Sequence, residues 1–148
     1  MSVQILRADR SHYAALIDIW EASVRATHHF LTEDDIVYFR KKILEDYFDA
    51  VHLYYLLPEA GEPAGLLGLA EGKIEMLFIH PGFFRLGYGS LLADYAIGQC
   101  GVTQVDVNED NPGALAFYLA RGFRVVNRLE KDGEGKDFPI LQMILGDR

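Results

Sequence analysis

The sequence predicts a mixed α/β domain, a central and mostly antiparallel sheet with helices on both faces. Three observations predict it. Short apolar, β-branched and aromatic runs alternate with stretches of helical periodicity in the order β-α-α-β-β-β-α-β-α-β-β. The runs KIEMLFIH and TQVDVN are separated by a helical stretch, and such a crossover makes its two strands parallel. The remaining adjacent strands are joined by short polar loops and read as antiparallel hairpins.

Each element has its own signal. Val3 to Arg7 reads as the first strand. Ser11 is the expected N-cap of a helix whose apolar positions, Leu16, Ile17, Ile19 and Trp20, follow a period near 3.6. Thr32 opens a second helix, with the acidic run Glu33, Asp34 and Asp35 at the positive end of its dipole. Val51–Pro58 and Ala64–Ala70 are strands joined by the loop EAGEP, and Lys73–His80 is the next strand. A helix from Gly89 to about Cys100 turns Leu91, Leu92, Tyr95 and Ala96 inward. After TQVDVN, Asn111 caps a helix with Pro112 at its first position, and Gly122 supplies the left-handed residue beyond Arg121. FRVVNRL and FPILQMIL close the chain as a hairpin.

The 148 residues make about one domain, spanning 1–148, and 50% hydrophobic content suffices for a core. No apolar run reaches the roughly 20 residues of a membrane helix, so no membrane association is expected. The opening MSVQILRADR becomes charged at once, which predicts no secretory leader. A lone cysteine, Cys100, fits a reducing compartment, and the expected location is cytoplasmic. The net charge of −8 makes nucleic acid a poor partner and attracts cationic substrates. The closing hairpin leaves monomer and homodimer both open.

The segment LFIHPGFFRLGYGSLLADYAI, Leu77–Ile97, carries the chemistry. A strand meets a Pro-Gly turn, then Gly87 and Gly89 bring bare backbone amides to a helix N-terminus, the physics of a phosphate cradle. Arg85 is the cation within that loop. A Walker loop requires a lysine that is missing, and Leu92 occupies the third small position of a dinucleotide fingerprint.

The same segment resembles the acyl-CoA-binding motif of the GNAT superfamily of N-acetyltransferases: an apolar strand, a Pro turn, Arg/Gln-x-x-Gly-x-Gly/Ala, and a helix with Leu-Leu. VNEDNPGALAFYLARGFRVV resembles that family's second block, a strand, an Asn, and a helix ending Phe-Tyr-x-x-x-Gly-Phe. ATHHFL, Ala26–Leu31, is similar to a subgroup of small bacterial members with unassigned substrates. Phe84 departs from the pattern, standing where the family has Arg or Gln. Either Arg85 takes over from the next position, or the loop relies on its amides and the helix dipole.

The resemblance implies transfer of an acetyl group from acetyl-CoA to a primary amine of a small molecule or peptide, with no metal. It places the pyrophosphate on Phe84, Arg85, Leu86, Gly87, Tyr88, Gly89 and Ser90. Leu77, Phe78 and Ile79 would offer backbone groups to the pantetheine and thioester, and Asn111 would hydrogen-bond the pantetheine. Tyr118 matches the family's tyrosine, which touches the cofactor and protonates the leaving thiolate. Glu75 is one candidate general base. His28 and His29 are rivals, and with Phe30 they fall where the family builds its acceptor pocket. Adjacent histidines rarely converge on one metal ion. Tyr38, Phe39, Tyr47, Phe48, Tyr54 and Tyr55 line either that cleft or the core. The alternative from another class is a non-catalytic acyl-CoA-binding or regulatory domain.

Overall fold

A computed structural model describes residues 3–59 and 61–146. Met1 and Ser2, on which the expectation of no leader partly rests, and residue 60 of the EAGEP loop lie outside the described residues. The strands are β1 (Gln4–Arg7), β2 (His52–Leu57), β3 (Gly65–Ala70), β4 (Lys73–Ile79), β5 (Gln104–Asn108), β6 (Phe123–Leu129) and β7 (Ile140–Leu145). They form one seven-stranded sheet in the order β1-β2-β3-β4-β5-β7-β6. Every neighbouring pair is antiparallel except β4 and β5, as the crossover demands.

The helices are α1 (Tyr13–Thr27), α2 (Glu33–Lys42), the short turn α3 (Phe48–Ala50), α4 (Tyr88–Cys100) and α5 (Pro112–Ala120). Thr32 caps α2 in a reciprocal box: its hydroxyl accepts from the Asp35 amide, and the Asp35 carboxylate accepts from the Thr32 amide. The first helix starts differently from expectation. Asp9 caps a 3-10 turn, Arg10–His12, by accepting from both the amide and the hydroxyl of Ser11. The carboxylate two residues upstream outcompetes the serine for the free amides.

Two apolar clusters sandwich the sheet. Leu16, Trp20 and Val24 of α1, Ile36 of α2 and Ile43 pack on one face against Leu53, Leu66 and Met76. Leu92 and Ala96 of α4 and Tyr118 of α5 pack on the other, against Leu67, Ile79 and Val105. In α4 the inner row is Leu92, Ala93 and Ala96, while Leu91, expected to point inward, is 44% exposed. One residue advances the helix by about 100°, which carries position 91 off the stripe that 92 and 96 share.

Two irregularities shape the site. The run from Ile43 to Tyr47 is a π-helical turn rather than a continuation of α2, a geometry common near functional cavities. In β4 the register against β3 shifts: Gly68 faces Met76 and Leu69 faces Ile74, leaving Glu75 without a partner on β3. This bulge breaks the two-residue alternation, so Ile74 joins one core cluster and Met76 the other. The simple alternation that would place Glu75 on the face of Leu77 and Ile79 does not hold there.

Candidate active site

β4 and β5 pair over only Lys73↔Gln104 and Ile74↔Val105. Beyond that rung the strands part at the Glu75 bulge. The edge of β4 facing β5 from Glu75 to Ile79 has no ladder partner among the described residues. A cleft of about 770 Å³ occupies the wedge, walled by β4, β5, the Phe83–Ser90 loop and the start of α5. Unpaired strand groups in a cleft are a template for another chain or a linear ligand.

The loop before α4 arrives with its donors free. Gly87 is the N-cap, at φ 82°, and contributes no side-chain cap. The first intrahelical bond runs from the Leu91 amide to the Gly87 carbonyl, so the amides of Tyr88, Gly89 and Ser90 have no protein acceptor among the described residues. No acidic residue occupies the first turn. A Cβ at Gly89 would touch Phe117 at 3.7 Å and Leu77 at 3.9 Å, ordinary contacts, so protein packing alone does not call for glycine there. Arg85, the loop's cation, also takes a left-handed backbone, φ 66°. This donor set fits a diphosphate: bare amides, the positive end of a helix dipole and an arginine at the lip.

Of the residues picked out by sequence, Glu75, Leu77, Phe78, Ile79, Asn111 and Tyr118 line the cleft, as does His28. So do Phe84, Arg85, Gly87, Tyr88, Gly89 and Ser90. Leu86, His29 and Phe30 are not brought into it; Leu86 is 60% exposed and His29 is exposed. Ser23, Thr27, Asp106 and Phe117 also line it and were not singled out. Phe117 was within reach of the sequence, because it leads the Phe-Tyr pair.

Tyr118 is buried, held edge-on between Phe117 and Phe123, and its hydroxyl has no hydrogen-bond partner among the described residues. Burial raises its pKa well above the ordinary phenol value, with Arg121 opposing, so the group keeps its proton. Glu75 is pushed above the usual carboxylate range by desolvation, while Lys73 at 3.8 Å pulls part of the way back. Lys73 is held chiefly by Asp106, at 2.6 Å across the last paired rung.

His28 terminates α1 and reaches over the wedge. The Thr27 hydroxyl donates to the Ser23 carbonyl at 2.8 Å, so at 2.7 Å from His28 Nδ1 it acts as acceptor. His28 therefore carries its proton on Nδ1, leaving Nε2 to accept from the Asn111 amide at 3.4 Å. Asn111 is oriented for that by its cap, Oδ1 accepting from the Ala114 amide at 3.2 Å. Burial, with His29 adding, depresses His28 to about 4.

That depression predicts a pH dependence. The unfolded imidazole titrates near 6.5, so the stability gained from a neutral His28 is complete above about 6.5 and is lost as pH falls towards about 4. Urea unfolding through that window is expected to show wild type losing up to about 1.4 kcal/mol per pH unit more than His28→Gln. Parallel curves for the two proteins would remove the assignment.

A family model described as the Acetyltransferase (GNAT) family matches residues 13–123. The peptidyl-lysine N-acetyltransferase YjaB of Salmonella typhimurium is 32% identical over 144 residues, 97% of this chain and 99% of that protein. The peptidyl-lysine N-acetyltransferase YiaC of Escherichia coli is 28% identical over 126 residues, 83% of this chain and 84% of that protein. The solution structure of apo YjaB from Escherichia coli superposes with a TM-score of 0.88 at 29% identity, covering 100% of both chains. The PaiA N-acetyltransferase of Thermoplasma acidophilum in complex with coenzyme A shares the fold, with a TM-score of 0.69 at 18% identity over 96% of this chain and 98% of that one.

Proposed function

The chain belongs to the GNAT acetyltransferase family, and from that premise we propose that it transfers the acetyl group of acetyl-CoA to a lysine side chain of a peptide or protein by direct attack. The observation that carries the reading is the coincidence, in one cleft, of an uncapped helix N-terminus and an unpaired strand edge with a protonated tyrosine. The lysine acceptor is supported by the relatives YjaB and YiaC, which are peptidyl-lysine N-acetyltransferases, and by the net charge of −8.

In this reading the amides of Tyr88, Gly89 and Ser90 hold the pyrophosphate. Backbone groups of Leu77, Phe78 and Ile79 align the pantetheine and meet the oxyanion of the attacked carbonyl. The incoming ammonium, with an ordinary pKa of about 10.4, sheds one proton before attack. Its nitrogen loses a second as the C–N bond forms, and Glu75, raised above the carboxylate range, takes it directly or through water. The C–S bond breaks and the Tyr118 hydroxyl donates to the departing sulfur. The sum is an amide, free coenzyme A and one proton released.

Release of free thiol from acetyl-CoA in the presence of lysyl peptides tests this; coenzyme A binding without product from any amine would favour the non-catalytic alternative. Phe84 at the family's Arg/Gln position leaves the phosphate to the amides, so Arg85→Ala is expected to change coenzyme A affinity by no more than about threefold in calorimetry. A loss of tenfold or more would assign the charge role to Arg85.

A further inference from the structure

Lys73 opens β4 and stands in the short paired stretch that β4 shares with β5, opposite Gln104. Its amine sits at the apex of the wedge, 2.6 Å from Asp106 and 3.8 Å from Glu75. Both carboxylates line the cleft. The chain has five lysines. Away from the cleft, Lys42 pairs with Asp46, Lys131 with Asp137 and Lys136 with Asp35, and Lys41 is exposed on α2. Among the described residues, Lys73 is the one lysine whose amine meets carboxylates of the cleft.

We propose that Lys73 is a site of self-acetylation: with no external acceptor present, the chain transfers the acetyl group of acetyl-CoA to its own Lys73 amine. The assignment rests on the acetyltransferase reading above and adds a modified residue to it. A base serves a nitrogen within about 2.6–3.2 Å. The Lys73 amine lies just outside that range of Glu75, on a flexible four-carbon stem. In that reading, a nitrogen that gives its proton to Glu75 is the nitrogen that meets the thioester. Asp106 holds the amine more closely than Glu75 does, so the reaction is slow and an external acceptor outruns it. The ammonium first gives one proton to solvent, and the neutral amine attacks the acetyl carbon. The C–N bond forms, a second proton leaves through Glu75, the C–S bond breaks and Tyr118 protonates the sulfur. The products are an acetamide at Lys73, free coenzyme A and one proton.

The modification changes the base. Burial pushes Glu75 up, Lys73 pulls it down, and Asp106 and Glu71 push it up again. His28 of α1 and Tyr118 of α5, in the same cleft, are neutral near pH 7, and the Tyr47 hydroxyl of the π-helical turn is committed to Glu134. An acetamide carries no charge, so Glu75 loses its opposing pull and the rise in rate that it sets moves to higher pH.

The test is to incubate the wild-type protein with acetyl-CoA and no amine, following each lysine by peptide mass spectrometry. Lys73 is expected to label about tenfold faster than Lys131 or more, although its side chain is 23% exposed and that of Lys131 59%. Its rate should not change with protein concentration, as an intramolecular step requires. Acetyl phosphate, a donor that bypasses the coenzyme A cleft, should reverse the order to follow exposure. Tyr118→Phe should slow Lys73 by the same factor as peptide turnover and leave Lys131 unaffected. Pre-acetylated wild type and Lys73→Gln should share a rate rise displaced to higher pH, while Lys73→Arg keeps the wild-type profile. If lysyl peptides turn over but Lys73 labels no faster than Lys131, leads with acetyl phosphate too, or speeds up with protein concentration, self-acetylation is overturned alone. If neither Lys73 nor any amine is acetylated while coenzyme A binds, the acetyltransferase reading falls and takes the proposal with it.

Discussion

Replacing Tyr118 by phenylalanine is expected to lower kcat about 100-fold, the low end of what one positioned proton donor supplies. Coenzyme A affinity should stay within about twofold, and thermal stability should not fall. The last expectation follows from the geometry. The phenol hydroxyl has no partner among the described residues, so its removal strands no donor or acceptor, and the ring that packs between Phe117 and Phe123 is retained. Burial raises the phenol above its ordinary value, which makes it a weaker acid than in water. The leaving sulfur would lie in the same cleft, and burial raises a thiol in the same direction, so the two remain comparable. Because the folded-state value is raised, Tyr118 stays protonated across the usable range and contributes no falling limb at high pH. If Glu75 is the base, its folded-state value, also raised, should set a first rise in rate above the usual carboxylate range, and Glu75→Gln should remove that rise while leaving the later climb that follows deprotonation of the amine. A Tyr118→Phe enzyme with full kcat would end the donor role. One that no longer bound coenzyme A would make Tyr118 a cofactor contact instead.

The legible parts of this molecule are those written in local chemistry. Alternation and crossover length gave the order of elements along the chain and the parallel pairing of β4 with β5, Asn111-Pro112 and Gly122 bounded α5, and the Gly-x-Gly spacing marked the start of α4, all of which depend on neighbours in sequence. The hidden parts depend on partners far away. The Glu75 bulge exists only relative to β3, and the parting of β4 from β5 only relative to a strand some thirty residues later. The chain Ser23–Thr27–His28 is local, yet its meaning, an imidazole aimed at Asn111, requires two elements to meet across the wedge. His28, His29 and Phe30 were adjacent candidates of equal standing; only the turn ending α1 separates the one that reaches the cleft from the two that do not. Leu86 was carried along by its place in the glycine loop, but the left-handed residues at Arg85 and Gly87 flank it and leave its side chain in solvent.

Gly89→Asp should move stability and binding in opposite directions, which separates a phosphate cradle from a merely well-formed turn. Position 89 is the second residue of α4. Aspartate there interacts favourably with the positive end of the dipole and replaces a poor helix former, together worth about 1 kcal/mol, or about 3 °C in Tm for a chain of this size. The new Cβ meets only Phe117 and Leu77 at ordinary separations, so packing does not cancel the gain. A diphosphate seated on the amides of Tyr88 to Ser90 would sit about 4 Å from the new carboxylate. At an effective dielectric near 20 a unit pair at that distance repels by about 4 kcal/mol, and salt brings this to about 2–4 kcal/mol. Coenzyme A affinity should therefore fall roughly 30- to 1000-fold while Tm rises, and Gly89→Ala should lose far less affinity because it adds no charge. Raising the salt concentration should recover part of the loss in the aspartate variant and none in the alanine one. A Gly89→Asp protein that is more stable and still binds coenzyme A as wild type does would place the pyrophosphate elsewhere. The alignment of the thioester along β4 would then lose its anchor, even though the cleft and Tyr118 stayed where they are.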